Sequence, residues 1–217
     1  EYLPRLAYLA LVRSVDRFIV ADTFEYSRQS FHHRARLRNP DGWHWITVPI
    51  AWGQSRDAAV RVRIDPDASR WREKHWRALM FDYRSTPYFE YFEEDVQPLF
   101  EREWKRLGRL TARSVELLVD LAGLETELIR ASELPGAPET LEGVYEAATG
   151  PEEAPAVLSL PDAAERNRAS LPTVRTLEFE EPTYRQNFEG FEAGTSGADC
   201  LFNYGPEITD WIDRGIC

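Results

Sequence analysis

The sequence is poor in cysteine. Cys200 and Cys217 are the two it has in 217 residues, and neither sits in a CxxC or Cys/His spacing. That excludes a disulfide framework and structural zinc. Long apolar runs are missing too: none approaches the roughly 18–20 residues of a membrane-spanning helix, and no signal-peptide pattern opens the chain. A cytoplasmic protein without a membrane span is the reading these absences favour. The chain opens at Glu1 without methionine, so further residues upstream are expected. Positive charge is in deficit: the formal net charge of −11 argues against a nucleic-acid partner, which needs a positive field. The imbalance is uneven. Arg13 to Arg38 is rich in arginine and Glu133 to Glu153 is acidic, which leaves room for a local basic pocket for phosphate or carboxylate.

Familiar catalytic signatures are equally scarce. There is no GxSxG, no phosphate-binding P-loop and no GxGxxG. The histidines are His32, His33, His44 and His75, and none forms the HxxxH or HxH pair typical of zinc sites. No metal and no cofactor is therefore predicted.

What is present centres on Trp71 to Phe92, WREKHWRALMFDYRSTPYFEYF. Asp65-Pro66-Asp67-Ala68-Ser69 before it offers short side chains able to cap a helix start. Trp71, His75, Leu79 and Asp82 or Tyr83 recur at helical spacing, and Pro87 ends the run. A face of Trp, His and Leu then points inward. An inward imidazole is either a core group held by a backbone partner or a working acid/base. Tyr83, Tyr88, Phe89, Tyr91 and Phe92 follow closely, which reads either as the wall of a cleft or as an aromatic mini-core.

The remaining chain alternates strand and helix patterns, favouring an α/β fold: a mixed sheet with flanking helices, a β-hairpin insertion and a largely helical middle region. One domain spanning 1–217 is expected, with a sheet and hairpin part over 1–65, a helical part over 66–131 and an α/β part over 132–217. Leu3 to Val15 reads as a helix with Pro4 near its first turn, and Arg17 to Asp22 as a short buried strand. Arg34–Leu37 and Trp43–Val48 alternate around an Asn39-Pro40-Asp41-Gly42 turn, a hairpin signal. Val60 to Ile64 reads as a further strand after a mobile loop over Gly53–Asp57. Tyr91 to Gly123 is mostly helical, with Pro98 at a first turn and Gly123 as a stop. Glu127–Ala131, Ala156–Leu160 and Val174–Phe179 read as strands, Glu139–Thr149 and Pro161–Ala169 as helices, and Gly150–Ala154 and Glu181–Gly197 as loops.

The polar groups cluster after the first strand. Asp22 lies at its carboxyl end, where open α/β sheets hold ligands, and Glu25, Tyr26, Arg28, His32, His33 and Arg34 follow. These make either a polar surface loop or a substrate-binding loop. His32 and His33 are adjacent and point different ways, so one at most faces a site. Cys200 among Ala198, Leu201 and Phe202 reads as inert packing. Asn203-Tyr204-Gly205-Pro206-Glu207 is a tight turn opening a helix, either simply capped or with free amides toward a ligand.

Five stretches together resemble the WbqC-like family of polysaccharide and natural-product gene clusters. Tyr2-Leu3-Pro4-Arg5-Leu6-Ala7-Tyr8 is similar to the end of the family's QPxYLPxxGY, and Asp16 to Ser27 to its DxFVxxDDxQYS. Gly42 to Pro49 is close to GxxWLTVPV. Trp71-Arg72-Glu73-Lys74-His75 with Pro87-Tyr88-Phe89 matches WRxKH…PYF, and Leu201 to Glu207 matches LFNxGPE. The family's WxNRN stands here as Phe31-His32-His33-Arg34-Ala35, so Arg34 alone is kept. The resemblance implies a bacterial acyl- or aminoacyl-transferase of glycan or natural-product biosynthesis. In that expectation His75 is the general base, with Asp22 and Tyr26 beside it. Arg34, Glu25, His33, Tyr88, Phe89, Asn203 and Gly205 bind a small-molecule or carrier-bound acyl substrate. Asp22, Tyr26, Arg34, His75 and Asn203 are expected to line one concave site. Two other readings stand beside it: a non-catalytic binding or scaffold protein for a carrier or partner, and a nucleotide- or metal-dependent ligase.

Overall fold

The computed structural model describes residues 1–53, 57–149, 155–171 and 173–217. The loop expected over Gly150–Ala154 lies outside the described residues, as does most of the one over Gly53–Asp57. The fold is mixed α/β, and among the described residues its strands are parcelled into three two-stranded ladders. Strand β1 (Arg17–Val20) pairs in parallel with β4 (Glu127–Arg130). The antiparallel hairpin joins β2 (Arg34–Asn39) to β3 (Gly42–Thr47) through Pro40 and Asp41. Short strands β5 (Val157–Ser159) and β6 (Val174–Thr176) pair in parallel.

Helices surround these ladders. Helix α1 (Leu6–Arg13) precedes β1, and Pro4 stands just outside it because Arg5 takes the N-cap position. The middle third holds α2 (Trp71–Tyr83), α3 (Phe89–Val96), α4 (Pro98–Glu101) and α5 (Leu107–Leu121). The break between α2 and α3 falls at Pro87, where proline bars the preceding residue from helical angles. Leu107, Leu110, Val115, Leu117 and Leu118 of α5 are buried. Each contributes about 1.5–3 kcal/mol by leaving water. Further on come α6 (Leu141–Ala148), α7 (Pro161–Ser170), α8 (Gly197–Tyr204) and α9 (Ile208–Gly215).

Two local expectations are corrected. Val60–Ile64 alternates without making a strand. Val62 and Ile64 are buried between exposed arginines, but turn bonds hold the segment: Arg61 N–H and Val62 N–H both donate to the Ala58 carbonyl. Gly108 at the start of α5 packs on it so closely that an added Cβ would lie 2.8 Å from the Val60 backbone. Isolated bridges at Arg63 and Ile64 are its only sheet-like pairings among the described residues. The acidic stretch before α2 does not cap the helix either. Arg70 takes the N-cap position with no side-chain bond, and the Asp65 carboxylate accepts from Asp67 N–H instead.

Helix α2 lies across the inner face of the hairpin and runs antiparallel to β3. His44 on β3 reaches Asp82 on α2, and His75 on α2 bonds the Thr47 backbone. The spacings match: seven helical residues span about 10 Å, and three strand residues span about 10 Å. The two elements are therefore pinned at both ends, and this frames the site.

Candidate functional site

A cleft of about 540 Å³ opens between β3 and the flank of α2. His44, Trp45, Ile46 and Thr47 form one wall; Arg70, Trp71, Lys74, His75 and Ala78 form the other. These helix positions recur every three or four residues, so they share one flank. The strand wall comes from the hairpin, whose inner face carries His44 and Ile46.

Two imidazoles line this cleft, in different states. His75 is 4% exposed. Its Nδ1 lies 3.0 Å from the Tyr2 hydroxyl, and its ring also bonds the Thr47 backbone. A carbonyl can only accept, so the ring N–H goes to Thr47 and the Tyr2 hydroxyl donates to Nδ1. Burial pushes the imidazole down to about 4; the Thr47 bond opposes this and the neighbouring His44 adds to it. His75 is thus a neutral group with both nitrogens occupied. Trp71 and Phe100 stack edgewise on it. The Tyr2 hydroxyl, fully buried, is pushed well above the usual tyrosine value by burial.

His44 is the available imidazole. Its Nε2 lies 2.7 Å from Asp82 Oδ2, and its side chain is 35% exposed against 4% for the carboxylate. A buried carboxylate that takes the Nε2–H fixes the tautomer and leaves Nδ1 with a lone pair. No described residue engages that Nδ1. Asp82 is in turn held within the fold: Asn187 donates to its main-chain carbonyl at 2.8 Å. Such a pair is the ordinary arrangement of an oriented general base. Lys74 and Arg70 are exposed at the other end of the flank, and Arg70 shares Glu73 at 3.5 Å.

The other expected site residues lie elsewhere. Asp22 is buried at the end of β1, where its carboxylate accepts from Ser132 N–H at 2.9 Å and from the Ser132 hydroxyl at 2.6 Å. It caps the turn after β4. Glu25 is exposed and bridges to Ala58. Tyr26 and His33 pack edge to face with ring centroids 5.4 Å apart. The Tyr26 hydroxyl and His33 Nδ1 are buried with no hydrogen-bond partner among the described residues. Burial, then Arg34 and Arg28, pushes His33 down to about 4. Arg34 donates to the Ser30 and Gln29 carbonyls and lies 4.3 Å over the Trp45 ring, so it backs the wall of the cleft without lining it.

Asn203, Gly205, Tyr88 and Phe89 form a separate group. The Asn203 amide donates to the Asp199 carbonyl. Gly205 has φ +57 and lies beneath the Tyr88 ring, where a Cβ would come within 2.5 Å. Its N–H donates to the Leu201 carbonyl, so the turn has no free amide there to offer an oxyanion. Phe89 is fully buried against Trp76 and Phe202. His75 alone of the ten expected residues lines the β3–α2 cleft.

Sequence reasoning missed His44 and Asp82 as a pair, although both signals were legible separately. Strand alternation puts His44 on the face of buried Ile46 and Val48, and Asp82 continues the Trp71, His75, Leu79 stripe. It also missed the buried network below the 183–191 loop. Arg38 Nε donates to Gln186 Oε1 at 3.0 Å, Gln186 Nε2 donates to Asp199 Oδ2 at 3.0 Å, and the Tyr184 hydroxyl donates to the same oxygen at 2.8 Å. Burial raises Asp199 to about 6 against the lowering influence of Tyr184, Gln186, Tyr83 and Arg38. Cys200 beside it is buried and its thiol is pushed up, as expected of packing.

Among the described residues no group of three or more His, Cys, Asp or Glu side chains is placed to hold a metal ion, and no described helix is long and apolar enough to cross a membrane. No solved structure matches the chain. The uncharacterized protein Rv1507c of Mycobacterium tuberculosis is 28% identical over 221 residues, covering 98% of this chain and 94% of that protein. The model of the WbqC-like protein family matches residues 1–210, nearly the whole folded unit that carries the cleft, and the chain belongs to that family.

Proposed function

We propose that the protein is an acyl- or aminoacyl-transferase that acts on an amine in glycan or natural-product biosynthesis, with His44 as the general base. The observation that carries this reading is the 2.7 Å pair between His44 Nε2 and the buried Asp82 carboxylate at the edge of the cleft. In the reaction, the acceptor amine attacks the carbonyl carbon of an activated acyl donor such as a thioester. The new C–N bond forms as the C–S bond breaks. His44 Nδ1 takes the proton the amine loses and returns it to the departing thiolate. Thr47 brings a hydroxyl to the cleft; in this reading it stays a wall residue and the acyl group passes directly from donor to amine. His75 keeps its neutral imidazole and positions Thr47 and Tyr2. This assigns to His44 the base role that the family resemblance suggested for His75.

The test is transfer of labelled acyl groups from thioester donors to amine acceptors, followed by mass spectrometry. Asp82→Asn keeps the shape of the pair and removes the charge that orients it. A fall in turnover of about 100-fold, with an unchanged urea midpoint, is expected. Product formation at the wild-type rate by Asp82→Asn contradicts the assignment.

A further inference from the structure

The free edge of β3 sets what the cleft can take. Val48 N–H donates to the His33 carbonyl at 2.8 Å. With the observed register, His44 and Ile46 are then the hydrogen-bonded partners of Leu37 and Ala35. Trp43, Trp45 and Thr47 turn their main-chain groups away from β2. Strand β2 shows the complementary alternation: its outward Arg36 carbonyl accepts from Ser196 N–H and its outward Arg38 N–H donates to the Tyr83 hydroxyl. On β3 the Thr47 backbone is engaged by His75. The Trp45 N–H and C=O have no partner among the described residues, and no described strand pairs with that edge. Folded proteins usually cover, bulge or charge such an edge, because it is a template for another extended chain.

The flank of α2 beside this edge is graded in chemistry. Arg70 and Lys74 stand at one end, Ala78 opens the middle, and the Asp82–His44 pair closes the other. Phe81 shares the angular position of Lys74, seven residues on, and is 79% exposed. From Lys74 to Asp82 is eight helical residues, about 12 Å. An extended chain of three or four residues covers that length at roughly 3.3 Å each.

We propose that the cleft binds a short extended peptide, a tri- or tetrapeptide, by strand addition to β3. Its main-chain amide pairs with Trp45, its carboxylate lies at Lys74 and Arg70, and its α-amine is presented to His44. Main-chain bonds give such a site its affinity, and flanking pockets give it side-chain preference. The peptide runs parallel to β3, since that direction alone brings the amine to the base and the carboxylate to the cations. The inference rests on the transferase reading only for which end reacts. There, acylation replaces one amine N–H with an N–C(=O) bond, the donor's C–S bond breaks, and the proton passes through His44 to the leaving thiolate.

Binding and turnover are measured separately, so the two ideas fail separately. The probe is tetra-alanine, titrated at millimolar concentration into the ¹⁵N-labelled full chain. Amide shifts confined to 43–47 and the α2 flank are expected. Methylating a central amide of the probe should abolish them, and capping its carboxylate as an amide should weaken binding several-fold. Lys74→Glu should weaken the free-acid peptide on the order of fivefold while leaving the capped one unchanged. Ala78→Leu, a change between strong helix formers, should block binding with the urea midpoint preserved. Three results overturn the proposal: no shifts at 43–47, equal binding of the N-methylated probe, or a concentration-dependent dimer that protects the β3 edge. Binding of pantetheine 4′-phosphate in place of tetra-alanine also overturns it, since the occupant is then a carrier arm. Peptide binding without acyl transfer leaves this inference standing and removes the transferase reading.

Discussion

His75 should carry a measurable pH signature. In the fold its imidazole is held down to about 4 by burial, against about 6.5 in an unfolded chain. A histidine with a lowered folded value contributes stability that is complete above 6.5 and is lost as the pH falls below it, because the unfolded chain then binds a proton the folded one refuses. Linkage between these two values gives a loss of about 2 kcal/mol at pH 5 relative to pH 7. Asp199 works in the opposite direction over the same range, so the wild-type curve alone does not isolate His75. The comparison with His75→Gln does. Glutamine can still accept from Tyr2 and donate to Thr47, but it does not titrate. Urea unfolding followed by tryptophan fluorescence at pH 7 and pH 5 is the assay. His75→Gln should be less stable than wild type at pH 7, and the gap should narrow by about 2 kcal/mol at pH 5, roughly 1 M of urea in relative midpoint. A gap that stays constant between the two pH values refutes the neutral, buried assignment.

Asp199 gives the mirror image. Its folded value is raised to about 6, so it opposes folding above that pH, and protonation relieves the opposition as the pH falls toward 4. Wild type should gain about 1 kcal/mol on Asp199→Asn between pH 7 and pH 5, read from the same urea curves. Arg38→Met removes the cation beside that carboxylate, and should cost about 3–5 kcal/mol at pH 7 but less at pH 5, where Asp199 is protonated. Gly205→Ala should cost at least about 2 kcal/mol, seen as a fall in Tm, because its Cβ would meet the Tyr88 ring at 2.5 Å.

The elements that depend on neighbouring residues were legible in the sequence. The Asn39–Gly42 turn, the leucine stripe of α5 and the break at Pro87 all follow from periods of two or 3.6 and from proline. Alternation alone misled at Val60–Ile64, because burial of every second side chain can arise in a turn-bonded segment packed under Gly108 as well as in a ladder. The site was less legible for a related reason. Asp22, Arg34 and Asn203 carry the chemistry of a site, but each is already satisfied within the fold: Arg34 by two nearby loop carbonyls and Asn203 by a helix carbonyl one turn back, Asp22 by Ser132, 110 positions along the chain. The His44–Asp82 pair joins residues 38 positions apart and the Arg38–Gln186 bond joins residues 148 apart. Such pairings exist only once α2 has crossed the hairpin, and no spacing rule within either element announces them.

The most direct measurement is the single-turnover rate of acyl transfer to an amine for His44→Ala and for His75→Gln beside the wild type, each at pH 7.5. The account predicts a loss of about 100-fold or more for His44→Ala and a rate within a few-fold of wild type for His75→Gln. A wild-type rate in His44→Ala, with the loss appearing in His75→Gln, would contradict it.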